Sequence, residues 1–159
     1  MSTVRAPLLV LAVGNPSRGD DALGPMLADI VQRAALPGVE VITEFQLQVE
    51  NALDLVDRER VIFVDAGIDT AGPCELREAT PAADFLHTSH ALSPQAVLAT
   101  YQRVVGGSPP PSRILCVRGE SFELGEGLSA AAAANLAVAA TVLLELCRTK
   151  SARSDCFDA

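Results

Sequence analysis

Asp20, Asp21, Asp65 and the two histidines, His87 and His90, are the residues of this sequence best suited to chemistry. Asp21 closes the run Gly14-Asn15-Pro16-Ser17-Arg18-Gly19-Asp20-Asp21, whose two glycines are separated by four residues, as in a phosphate-binding loop. Such a loop needs Lys and Ser or Thr directly after its second glycine, to hold phosphate and magnesium. Asp20 and Asp21 stand there instead. Two carboxylates repel phosphate, and the same charges suit a cation. Asp20 has a structural role open to it, as the cap of the following helix, where acidic residues are favourable. Giving it that role leaves Asp21 free to point into a cleft. Ser17 and Arg18 meet no evident structural demand, and Arg18 could hold a carboxylate or a carbonyl.

Asp65 follows the apolar run Val61-Ile62-Phe63-Val64. A carboxylate at the end of a buried strand is costly unless it is paired, hydrogen-bonded or bound to metal. Two readings stand side by side: a metal ligand, or an acceptor for backbone N–H groups of the turn at Gly67. Asp69 lies in the loop beyond and is a poorer candidate. Both histidines fall in one loop. A lone loop histidine is usually only solvated, but two beside an acidic cleft point to a ligand. Two carboxylates and one imidazole make an open three-ligand site with positions left for water or substrate.

These residues need a scaffold, and the apolar pattern supplies one. Leu8 to Val13 is a continuous apolar run of strand length, ended by Gly14-Asn15-Pro16. Leu23 to Ala34 has helical spacing, with Leu23, Leu27, Ile30 and Val31 on one face and Pro25 in the first turn. Val39 to Thr43 and Val61 to Val64 read as strands, Asn51 to Leu55 as a short helix that begins slightly earlier. Cys74 to Glu78 alternates and is flanked by charge, so it belongs near a sheet edge. Pro81 to Ser89 reads as loop. Ser93-Pro94 opens a helix to about Val105, Ile114 to Val117 is a further buried strand, and Ser129 starts the last helix. Continuous apolar strands separated by helices indicate a single-domain α/β three-layer sandwich, a mostly parallel twisted sheet with helices on both faces. That domain takes residues 1–150, and 151–159 form a polar tail. In such a sheet ligands sit outside the carboxyl ends of the strands, where both the Gly14–Asp21 loop and Asp65 fall.

At 159 residues the chain fits one domain. Its net charge of −8 repels a phosphate backbone and anionic lipid alike, so nucleic acid and membrane are not expected partners. The run from Leu128 to Leu146 has the length of a membrane span, but its alanines, Asn135, Thr141 and Glu145 suit a helix packed on a sheet. The four cysteines, Cys74, Cys116, Cys147 and Cys156, form no C-x-x-C pair. They read as reduced thiols in a cytoplasmic protein, with no signal peptide at the start.

Four stretches together resemble one family. Gly14-Asn15-Pro16-Ser17-Arg18-Gly19-Asp20-Asp21-Ala22-Leu23-Gly24 is similar to the opening motif of hydrogenase maturation proteases. Phe63-Val64-Asp65-Ala66 resembles their third-strand motif, and Ser89-His90-Ala91-Leu92-Ser93 their histidine motif. Phe45-Gln46-Leu47-Gln48-Val49-Glu50 resembles the segment between the first two. The likeness runs in order over roughly Leu8 to Leu146. It implies an endopeptidase that removes a short C-terminal extension from the large-subunit precursor of a nickel–iron hydrogenase once nickel is inserted. It also implies that Asp21, Asp65 and His90 contact that metal, which the precursor supplies. His87 lies outside the motif. Asp21, Asp65 or the metal itself would activate water, and the sequence leaves the choice open. No Ser-His-Asp signature, H-E-x-x-H motif or cysteine near a histidine offers another route. The same three residues would serve a non-enzymatic nickel-binding chaperone for that precursor. A small-molecule hydrolase on the same scaffold lacks its nucleophile elbow. A monomer is expected.

Overall fold

The structure is a computed structural model and describes residues 4–83 and 91–149. The expected loop is therefore described only over 81–83, and the expected polar tail lies outside the described residues. Five strands, β1 (Leu8–Val13), β2 (Val39–Glu44), β3 (Arg60–Gly67), β4 (Cys74–Ala79) and β5 (Ser112–Arg118), form one sheet in the order β2-β1-β3-β5-β4. All neighbours pair in parallel except β4, which runs antiparallel along the β5 edge. The α/β sandwich and the edge place of the alternating fourth strand agree with the sequence pattern.

Three helices cover the sheet: α1 (Leu23–Ala34), α2 (Pro94–Val104) and α3 (Ala130–Arg148). Successive strand side chains leave on opposite faces, so a strand covered on both sides must be apolar at every position. Leu8, Val10, Ala12, Ile62 and Val64 pack under α1 and α3, against Leu27, Val31, Ala139 and Leu143. Leu9, Leu11, Val61 and Phe63 face the other way, against Val97 and Leu98 of α2 and Leu55 of a 3₁₀ segment, Val49–Leu55. Each such aliphatic or aromatic side chain contributes roughly 1.5–3 kcal/mol on full burial. Ser93 and Ser129 cap α2 and α3, their hydroxyls accepting the backbone N–H groups of Ala96 and Ala132. By length and composition α3 could cross a membrane. Here its Ala132, Ala139, Leu143 and Cys147 are buried against the sheet.

Two details of topology make the cleft. From β1 the chain moves outward to β2, then returns across β1 to β3, so the direction of winding reverses between β1 and β3. Such a switch point leaves a crevice at the carboxyl ends of its two strands. The ladder between β1 and β3 ends at the pair Ala12–Val64, while β5 keeps pairing with β3 through Asp65, Ala66 and Gly67. The third strand is therefore longer than its apolar run suggests, because β5 still supplies hydrogen bonds where β1 has turned away. Asp65 is the first residue of β3 beyond the β1–β3 ladder.

Candidate active site

A cleft of about 600 Å³ opens at this switch point, and both Asp21 and Asp65 line it. Phe45, Leu47, Ile68 and Phe122 form its apolar walls. Strand alternation puts Asp65 on the Phe63 face, toward α2, and Leu92, Ser93 and Pro94 at the start of that helix close the same side. The backbone N–H of Leu92 donates to the carbonyl of Leu47 at 3.0 Å, tying two of these walls together.

Asp21 arrives from a short 3₁₀ turn, Gly19–Ala22, between β1 and α1. Its Oδ2 accepts the backbone N–H of Asn15 at 2.7 Å, so the loop folds back onto its own carboxylate. This fold-back needs Gly14, whose φ is +153° and where a Cβ would stand 2.1 Å from the carbonyl oxygen of Asp21. Gly24 allows the matching approach of α1 to β1, since a Cβ there would lie 2.2 Å from the carbonyl oxygen of Val13. Gly14 and Gly24 thus serve close packing of the strand end on the helix start.

Among the described residues Asp65 has one backbone partner, the N–H of Ala66, which donates to Oδ1 at 2.8 Å. The turn at Gly67, expected as one source of donors, does not supply them. Burial raises the pKa of Asp65 to about 6, the charge of Asp21 adds to the rise, and the Ala66 hydrogen bond opposes it. Two carboxylates in one cleft, one of them titrating near neutrality, form an acid–base pair or an anionic docking point for a cation.

Asp20 departs from its expected role. It does not cap α1, whose N-cap is Ala22 without a side-chain bond. Asp20 is fully buried instead, and its carboxylate accepts the N–H groups of Glu120, Ser121 and Ser129 and the hydroxyl of Ser129, at 2.7, 3.2, 2.8 and 2.8 Å. Burial opposes its charge, but the donors from Glu120, Ser129 and Ser121 outweigh it and hold the pKa below the usual value. Ser17 and Arg18 do meet a structural demand through their backbones, the carbonyl of Ser17 accepting from Gly125 and that of Arg18 from Asp21. The Arg18 side chain is exposed.

Cys116, paired in register with Asp65, carries a half-buried thiol 2.9 Å from Oγ1 of Thr70. Burial raises its pKa, so it stays protonated and is a poor nucleophile. Cys74 and Cys147 are free as well, in keeping with reduced thiols, and Cys156 lies outside the described residues. His87 and His90 also lie outside them. Among the described residues no group of three or more His, Cys, Asp and Glu side chains could hold a metal. Two carboxylates of the expected three-ligand set therefore share the cleft. Ala91, the neighbour of His90 in sequence, lines it too.

Phe122 has no counterpart among the expected site residues. The segment between β5 and α3 shows no apolar period, and the one hint was a phenylalanine among Gly119, Gly125 and Gly127 in a chain with five Phe.

No protein-family model matches the chain, and no curated protein does either. Solved structures do. The hydrogenase maturating endopeptidase HybD from Escherichia coli superposes with a TM-score of 0.69 at 24% identity, covering 89% of this chain and 91% of that one. The [NiFe] hydrogenase maturation protease HycI from Thermococcus kodakarensis gives 0.68 at 20% identity, covering 91% and 94%. The hydrogenase 2 maturation peptidase from a Thaumarchaeota archaeon gives 0.61 at 22% identity, covering 87% and 96%. The fold is the α/β fold of these structures over nearly their whole length.

Proposed function

We propose that this chain, which carries the fold of hydrogenase maturation endopeptidases, removes the C-terminal extension of a nickel–iron hydrogenase large-subunit precursor after nickel insertion. The observation that carries the reading is the meeting of Asp21 and Asp65 in one cleft, at the switch point of a fold shared with those endopeptidases. Around the two acids the rim is apolar and open: Phe45 is 69% and Ile68 59% exposed. Acidic groups framed by exposed apolar side chains suit a polypeptide segment carrying a cation better than they suit a small free anion.

Nickel belongs to the substrate in this reading. Held by the precursor, it has open coordination positions, and Asp21, Asp65 and His90 complete them, so the tail docks by its metal. Carboxylate and imidazole both suit nickel, and the backbone N–H of Asn15 holds Asp21 in place for it. Asp65 is the favoured base. Its carboxylate takes a proton from water as that water attacks the scissile carbonyl. The same proton then passes from Asp65 to the leaving amine as the C–N bond breaks. The free thiols suit a reducing compartment, here the cytoplasm, and the enzyme acts as a monomer on one precursor at a time.

The test is an electrophoretic assay with a nickel-loaded large-subunit precursor and its nickel-free form. Shortening of the loaded form alone is the expected result. Binding of the loaded form without shortening supports the chaperone reading, and shortening of both forms removes nickel from recognition.

A further inference from the structure

Asp20 sits where two cleft-forming loops touch. Besides the four bonds to its carboxylate, its backbone N–H donates to the carbonyl of Ser121 at 2.8 Å. Gly19 donates to Glu126 at 3.2 Å, and Gly125 to Ser17 at 2.8 Å. A Cβ at Gly19, whose φ is +52°, would stand 2.5 Å from the Ser121 carbonyl oxygen. The Gly14–Asp21 loop therefore lies directly on the loop joining β5 to α3, which carries Phe122 into the cleft wall. Three of these donors converge on Oδ2 and the fourth, the Ser129 N–H, meets Oδ1; an amide in place of the carboxylate offers one oxygen and turns N–H groups toward other N–H groups. In a 3₁₀ turn of about three residues per turn, neighbouring side chains leave roughly a third of a turn apart. Holding Asp20 inward thus turns Asp21 outward, toward the cleft.

We propose that Asp20 is a positioning residue: its buried carboxylate latches the Gly14–Asp21 loop to the β5–α3 loop and thereby sets the direction of Asp21. Asp20 matters to tail removal only through Asp21, so its part in the reaction rests on the endopeptidase reading. The latch itself does not, because the bond from the Asn15 N–H to Asp21 Oδ2 reports the placement of Asp21 in the free protein.

The experiment is amide hydrogen exchange by NMR on the full chain with Asp20→Asn, read together with kcat/KM for tail removal. Asn15 donates nothing to Asp20, so a purely local role would leave its amide unchanged. The expected result is exchange at Asn15 faster by about tenfold or more, the size expected for losing a charged hydrogen-bond partner nearby, with kcat/KM falling in step. Amides of Leu9 and Val10 in β1 keep their wild-type rates. Faster exchange at Glu120, Ser121 and Ser129 alone, with Asn15 and cleavage unchanged, overturns the proposal and leaves Asp20 a staple of the distant loop. If Asp20→Asn does not fold, Ser129→Ala removes one donor to Asp20 together with the α3 cap at Ala132 and is read at the same amide; faster exchange there supports the latch, and an unchanged Asn15 overturns it. Should Asn15 respond while the wild-type chain shortens no precursor, the latch stands and the endopeptidase reading fails.

Discussion

Asp65→Asn is expected to abolish tail removal and, in the metal-free protein, to raise stability above pH 6. Loss of a positioned general base costs roughly 10²–10⁴-fold in rate. The stability gain has a separate origin. The folded-state pKa of Asp65 is raised from 3.8 to about 6, chiefly by burial. The folded protein therefore binds a proton that the unfolded chain has already lost between these values. Wild-type stability falls as pH rises through that window, and above pH 6 it carries the full cost of a charge in a poorly solvated site. The shift sets an upper bound of about 3 kcal/mol, and screening at a half-buried carboxylate reduces it to about 1–2 kcal/mol. Asn is neutral throughout, so its advantage is complete at pH 8 and absent below pH 3.8. Thermal melts at both pH values with a chelator present, beside the electrophoretic assay, check this. A variant that still shortens the precursor, or that melts below wild type at pH 8, would sink the assignment. Asp21→Asn should lose tail removal as well, and should lower the pKa of Asp65 by removing a neighbouring charge.

Gly14→Ala is expected to destabilise the protein by about 3–5 kcal/mol, combining a backbone conformation unfavourable to L-residues with a steric overlap. Its Cβ would press on the Asp21 carbonyl oxygen at 2.1 Å and on Cδ of Pro25 at 3.1 Å. Neither contact can yield easily, since Pro25 is in the first turn of α1 and Asp21 is held by Asn15. Against a typical total of 5–15 kcal/mol, this is a loss visible in a urea titration. Gly127→Ala is the control, because nothing lies within 4 Å of a Cβ there. Equal midpoints for the two variants would mean that β1 and the start of α1 are not in close contact.

Much of the architecture is legible along the chain because each element announces itself locally. Leu8–Val13 and Leu23–Ala34 carry their full extents in their apolar periods, and Ser93 and Ser129 mark helix starts as hydroxyl caps do. Asp21 and Asp65 are legible as candidates too, because charge at the end of an apolar strand or in a glycine loop is locally anomalous. Asp20 is not. Its partners are 100, 101 and 109 residues away, and the nearer explanation, a helix cap, fits its local pattern equally well. Phe122 is hidden for the same reason, since its loop reaches the cleft only because β5 lies beside β3.

Periods, caps and charges are readable along the chain, and with them the α/β class, one acid at a strand end and one in a glycine loop. Strand order and packing set the rest: the β1–β3 ladder stops one residue short of Asp65, the winding reverses between those two strands, and a buried carboxylate joins two distant loops. The physical reason is range. Side-chain burial is written into neighbouring residues as a period, whereas hydrogen-bond partners across a sheet depend on strand order, which no single segment carries.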